Sequence, residues 1–149
     1  MHCRLIYSCH ATREVYESDL HDISGSSSRR NPTRDITGVL LYANRRFIQV
    51  LEGPGGSIFE LITLISSDER ASSLRIESVQ KDVDPIFEDW AMLVTDANNP
   101  VDAISTEFNE MINLFVTRPG SADMHAELDR RCENLHALLK TEPDMFASS

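Results

Sequence analysis

The sequence predicts an α+β fold: a mixed five-stranded sheet with two helices on one face, plus two C-terminal helices. Three observations lead there. Five runs with strand character and two amphipathic stretches alternate in the order β-α-β-β-α-β, with one strand more. The 149-residue length suits one domain with an appended subdomain, and 41% apolar residues are enough for a core. After the last strand the apolar spacing becomes helical and stays so.

The first strand is Cys3 to Ser8, CRLIYS, with apolar side chains on both parities, so both its faces are expected to be covered. A helix follows, with Ser18 as its expected N-cap and Leu20 and Ile23 on its apolar side. It should stop near Arg30, because Asn31 precedes Pro32 and the residue before proline is pushed out of the helical region. Asn-Pro-Thr-Arg then suits a type I turn.

Ile36 to Tyr42 and Phe47 to Leu51 read as two strands joined by a hairpin at Ala43-Asn44-Arg45. Gly53-Pro54-Gly55-Gly56 breaks the chain; it lacks the spacing of a phosphate loop and reads as a plain connection. From Ser57 to Ser67, Ile58, Leu61, Ile62 and Ile65 make a full helical stripe. Leu74 to Val83 and Phe87 to Val94 are the last two strands, with Pro85 marking the start of the second. The order is that of a ferredoxin-like sheet with a fifth strand. Asp96 to Asp102 is a polar linker. Two amphipathic helices follow, one carrying Ile104, Phe108, Met111, Ile112 and Phe115, the other Leu128, Cys132, Leu135 and Leu139. They are expected to cover the second sheet face or to form a partner surface.

Composition narrows the function. A formal net charge of −10, from 24 acids against 14 bases, disfavours nucleic acid and anionic membrane as partners. Cys3, Cys9 and Cys132 are odd in number and widely spaced, which argues against a disulfide framework and for a reducing compartment. The opening MHCRLIYSCHATREVYESD has the pattern of neither a signal peptide nor an anchor, and no stretch approaches the roughly 20 apolar residues of a membrane helix. A cytoplasmic address is the expectation. Cys132 and His136 share a helix face, but no second ligand pair completes a metal site, and no metal is predicted. Glu107, Glu110, Glu127 and Asp129 read as solvated helix faces, and Arg29 and Arg34 as exposed.

Strand parity singles out several residues. Phe47, Gln49 and Leu51 share one face, which sets a primary amide among apolar neighbours in a central strand. An unpaired buried amide costs about 1–3 kcal/mol, so Gln49 needs a partner. Tyr7, on the same face as Leu5 in the neighbouring strand, can supply one. Trp90, Met92 and Val94 are expected to share a face in the last strand.

LIYS around Tyr7, Arg30-Asn31, ITGVLLY at Ile36 to Tyr42, RFIQVLEG at Arg46 to Gly53, Asp68-Glu69-Arg70 and Phe87 to Met92 occur in that order. Together they resemble the BLUF family, blue-light sensors using FAD, over roughly residues 3 to 95. The tail resembles, less specifically, the C-terminal helices of short stand-alone members. The resemblance implies a flavin-binding domain at 1–96 and a helical extension at 97–149. It implies noncovalent FAD, with FMN or riboflavin as substitutes, held between the two helices on one sheet face. Tyr7 would be the photoactive phenol and Gln49 the amide linking it to the flavin. Asn31, Asp68 and Arg70 would hold polar parts of the cofactor, and Ile23, Ser27 and Ile65 would line its pocket. Trp90 and Met92 would relay the signal.

Light-driven electron and proton transfer from Tyr7, followed by rearrangement of Gln49, would give a red-shifted state read by an unidentified downstream protein. The amphipathic C-terminal helices make a homo-oligomer the expectation, and the residues left after the sheet are too few for a catalytic domain, so no enzymatic activity of its own is expected. The chain departs from the family pattern at Ala71, where histidine is frequent, and at Pro85-Ile86, where a basic residue is frequent. Two other readings stay open on the sequence: an acylphosphatase-like enzyme on the same fold, and an interaction module without flavin.

Overall fold

The fold was obtained as a computed structural model, which describes residues 1–98, 102–141 and 147–148. Strands β1 (His2–Ala11), β2 (Thr37–Ala43), β3 (Arg46–Pro54), β4 (Ala71–Lys81) and β5 (Met92–Asp96) form the mixed five-stranded sheet, in the order β4-β1-β3-β2-β5. A two-residue strand, β6 (Ala147–Ser148), adds to the outer side of β5. Neighbours are antiparallel except β2 and β5, which run parallel. The central position of β1 and β3 matches their burial: each presents apolar side chains to both faces.

Helices α1 (Glu17–Arg30) and α2 (Gly55–Ser66) pack on one face, where Leu20, Ile58 and Leu61 meet Leu5, Leu40 and Leu51. Helices α3 (Ala103–Thr117) and α4 (Ala122–Thr141) cover the other. There Phe108, Met111, Leu128 and Leu135 meet Ile6, Val39, Leu41, Ile48 and Val50. Each such side chain, fully buried, contributes about 1.5–3 kcal/mol. The expected covering of the second face by the C-terminal pair is thus what the described residues show.

Several boundaries differ from the sequence reading. Tyr16, not Ser18, caps α1; its backbone N–H donates to the Asp19 carboxylate at 2.8 Å. Helix α2 begins at Gly55, so the glycine break is absorbed into its first turn. Asn31–Arg34 forms one 3₁₀ turn, ended by Asp35 in the left-handed region (φ 55°). The hairpin turn is Asn44-Arg45, both at positive φ (51° and 61°), the twist that suits a two-residue connection. Of the polar linker, residues 99–101 lie outside the described residues.

The last strand starts at Met92 rather than Phe87. The backbone of residues 86–87 bonds a side chain instead of a neighbouring strand: the Glu52 carboxylate accepts from Ile86 N–H at 2.9 Å and from Phe87 N–H at 2.6 Å.

One helix acid is buried against expectation, and a second, part-exposed, is held by an ion pair. Glu107 is buried against Arg131 (3.3 Å). Asp129 reaches Arg4 (3.1 Å), whose guanidinium also meets Glu52 (2.8 Å), Gln80 (3.0 Å) and the Asp84 carbonyl (2.8 Å). This network, buried at Arg4 and Glu52 and part-exposed at Asp129, joins β1, β3, β4 and α4.

Candidate functional site

Register places Tyr7 directly opposite Gln49 across the β1–β3 pair, both buried and both facing α1 and α2. The Tyr7 hydroxyl donates to Gln49 Oε1, and Gln49 Nε2 donates to the Met92 sulfur at 3.2 Å. The amide that parity left in need of a partner therefore has one on each side. Burial, chiefly, and the nearby Cys9 thiol hold the Tyr7 phenol well above its ordinary 10.0, with Arg30 pulling the other way. Tyr7 is accordingly neutral at physiological pH.

Above this pair lies a pocket that opens to solvent. The sheet forms its floor, with Tyr7 and Cys9 from β1, Leu40 from β2, and Phe47 and Gln49 from β3. One wall is α1, through Ile23, Ser27 and Arg30. The other is the end of α2 and the turn beyond it, through Ile65, Asp68, Arg70 and Ala71. Asp68 and Arg70 pair at 2.7 Å, and the Arg70 guanidinium holds the Asp68 carboxyl below its ordinary value. Burial and the neighbouring Arg34 lower the Arg30 guanidinium. Burial, then Asp68, pushes the Cys9 thiol up to about 12.

The structure thus brings together Tyr7, Gln49, Ile23, Ser27, Ile65, Asp68 and Arg70 around one cavity. It does not bring Asn31 to the lining. Asn31 is fully buried one residue past α1, and its Nδ2 donates to the Ala91 carbonyl at 3.0 Å. Trp90 does not share a face with Met92. Residues 87–91 are irregular, so strict alternation fails there, and Trp90 lands on the α3/α4 side against His136 (ring centroids 5.6 Å apart). Met92 stays on the pocket side beneath Gln49. Arg30 and Cys9 are lining residues the sequence reading did not assign. Parity would have found Cys9, which follows Leu5 and Tyr7 on the same face of β1.

Flat apolar walls with hydrogen-bonding groups gathered at the base and one end suit a planar heteroaromatic ring with polar edges. Residues 2–93 match the family of sensors of blue-light using FAD, BLUF. The chain belongs to the BLUF family. Its function class is that of a blue-light flavin sensor.

Over 66 residues it is 41% identical to the photoactivated adenylate cyclase subunit beta of Euglena gracilis, a match covering 44% of this chain and 8% of that protein. Over 66 residues it is 32% identical to the blue light- and temperature-regulated antirepressor BluF of Escherichia coli K12, covering 44% and 16%. The chain thus spans a small part of those relatives' length. Among solved structures, BlrB, a BLUF protein in its dark state, matches with a TM-score of 0.72 at 26% identity, covering 89% of this chain and 96% of that one. Photo-activated BlsA matches with a TM-score of 0.75 at 24% identity, covering 97% and 99%, which speaks for the shared fold.

The residues present fit a flavin. Arg30, Arg70 and Ser27 offer donors to ring carbonyls or the ribityl chain, Ile23 and Ile65 supply apolar wall from the two helices, and Gln49 offers an amide at the base.

Proposed function

We propose that this BLUF chain is a photoreceptor module that binds FAD, or FMN or riboflavin in its place, and passes the light signal to other proteins rather than catalysing a reaction itself. In this reading residues 1–96 hold the flavin and residues 97–149 carry the output. The output runs through a downstream protein, self-association, or both, in the cytoplasm. The observation that carries it is the hydrogen-bonded chain Tyr7–Gln49–Met92 at the base of the pocket between α1 and α2.

A bound flavin supplies the absorption of blue light and, once excited, an oxidant able to draw an electron from a phenol. Tyr7 is the donor in reach of the pocket, and its enforced neutrality means that its hydroxyl proton is still there to move. A phenol that has lost an electron is a strong acid, and Gln49 Oε1 is the acceptor that already holds this proton's hydrogen bond. Return of the electron and proton to Tyr7 restores the phenol but leaves Gln49 free to settle in a second orientation or tautomer. Rotation exchanges which amide atom faces Tyr7 and which faces Met92; tautomerisation leaves the atoms in place and exchanges which of them donates. The two arrangements of this buried network are the bistable element. Asp68 and Arg70, at the wall beyond α2, and Asn31, tied to Ala91, orient the cofactor and the segment next to it.

An absorption spectrum of the purified, flavin-loaded protein, taken in darkness and after blue light, tests this. The expected result is an oxidised-flavin spectrum that shifts to the red and recovers in the dark. Tyr7→Phe and Gln49→Leu are expected to keep the flavin and lose the shift. Protein that takes up no flavin on reconstitution, or a shift unchanged in both variants, would reject the proposal.

A further inference from the structure

Residues 86–92 are tied to both sides of the sheet. On the pocket side, Gln49 Nε2 donates to the Met92 sulfur (3.2 Å) and Asn31 Nδ2 to the Ala91 carbonyl (3.0 Å). From β2, the Gly38 N–H donates to the Trp90 carbonyl at 3.2 Å. On the opposite side the segment meets one residue of α4 three times. His136 Nε2 pairs with the Asp89 carboxylate, and the imidazole stands edge-on to Phe87 (centroids 5.8 Å, 79° between planes) and to Trp90 (5.6 Å, 61°).

We propose that His136 is the positioning residue that couples the pocket to α4. When Gln49 changes partners, Met92 loses or alters its bond at the start of β5. Trp90, two residues away on the other face, shifts against the His136 ring, and α4 shifts with it. This rests on the flavin-sensor reading above. His136 is remote from the pocket lining, so its loss leaves the flavin's own hydrogen bonds in place. The Asp89–His136 pair is part-exposed (side chains 39% and 24%), so by itself it adds little to stability; the two ring contacts give the joint its shape.

Trp90 is the single tryptophan of the chain, so all tryptophan emission arises at this joint, and the His136 variants separate movement of the joint from any effect of the flavin on that emission. The test is tryptophan emission and flavin absorption, recorded together in darkness and after blue light, for wild type, His136→Ala and His136→Gln. Expected are a light-induced emission change in wild type, a change smaller by about threefold or more in His136→Ala, the effect of losing one coupling contact, and partial return in His136→Gln, whose amide can still donate to Asp89. The red shift of the flavin should persist in all three. A wild type with a red shift but no emission change would overturn the coupling. So would an emission change of full size in His136→Ala, or a red shift lost in that variant. A wild type with no red shift would instead sink the sensor reading, and the coupling with it.

Discussion

Gln49 illustrates what a residue-scale reading can reach. A primary amide on the buried parity of a central strand demanded partners, and β1–β3 register supplied Tyr7. Its second partner, the Met92 sulfur, was not foreseen: the parity reading of the last strand placed Met92 with Trp90, which lies on the other face. Arg4 and Glu52 were not legible in this way. They lie at strand positions that alternation assigns to the α3/α4 face, yet a charge pattern cannot say that Glu52 is fully buried and saturated by Arg4 and two backbone N–H groups. Tertiary contacts far apart in sequence decide that. Removing one partner of a buried pair costs about 3–5 kcal/mol where the other charge is left alone; without the Glu52 charge, Arg4 keeps only the part-exposed Asp129 carboxylate as counter-charge. Glu52→Gln keeps the shape and deletes the charge. It is expected to lower the unfolding free energy from urea titration by up to that amount, whereas Asp129→Asn, at the part-exposed end of the network (43% side-chain exposure), should change it little. Equal effects in the two variants would contradict the central place given to Glu52.

At the scale of elements, five strands and four helices were readable because their apolar periods are clean and their breaks are chemically marked. The misreading fell on Phe87 to Ala91, which has strand composition but spends its backbone bonds on Glu52, Gly38 and Asn31 rather than on a ladder. Composition reports side-chain preference, and here the backbone partners overrode it. The same limit hid the need for Gly38. A Cβ there would sit 1.9 Å from the Val50 carbonyl oxygen, across the β2–β3 pair. Flexible side chains can yield to such a clash, but a carbonyl inside a central ladder cannot without opening the pair. Gly38→Ala is therefore expected to destabilise by at least about 1–3 kcal/mol, read as a fall in the thermal midpoint. Because β2 also carries Leu40 into the pocket floor, flavin retention on gel filtration should fall too. A variant as stable as wild type would mean that β2 and β3 do not lie this close.

For the molecule as a whole, the sheet is shared by two cores, and the second is completed only by α3 and α4. The chain should then unfold as one unit, with groups buried in either core contributing to a single transition. Cys132, fully buried on α4 against that second core, gives a handle. Burial is the main cause that pushes its thiol from 9.0 up to about 12, with Arg4 opposing and Asp129 adding to it. The sign follows from proton counting. Below pH 9 the thiol is protonated in both folded and unfolded chains and contributes no pH dependence. Between 9 and about 12 the unfolded chain gives up the proton that the folded chain keeps, so unfolding releases a proton and stability falls as pH rises. The slope is about 1.4 kcal/mol per pH unit for one such group. Cys9, raised to about 12 in the pocket, adds a second contribution in the same window, and Tyr7 another above its ordinary 10.0. Unfolding free energies from urea titrations at pH 8, 9, 10 and 11 should therefore decline more steeply in wild type than in Cys132→Ala. The variant starts lower at pH 8 because a buried sulfur has been removed, and the two curves converge toward pH 11. Parallel curves would mean that the Cys132 thiol reaches solvent in the folded chain, and that α4 does not close the second core as described.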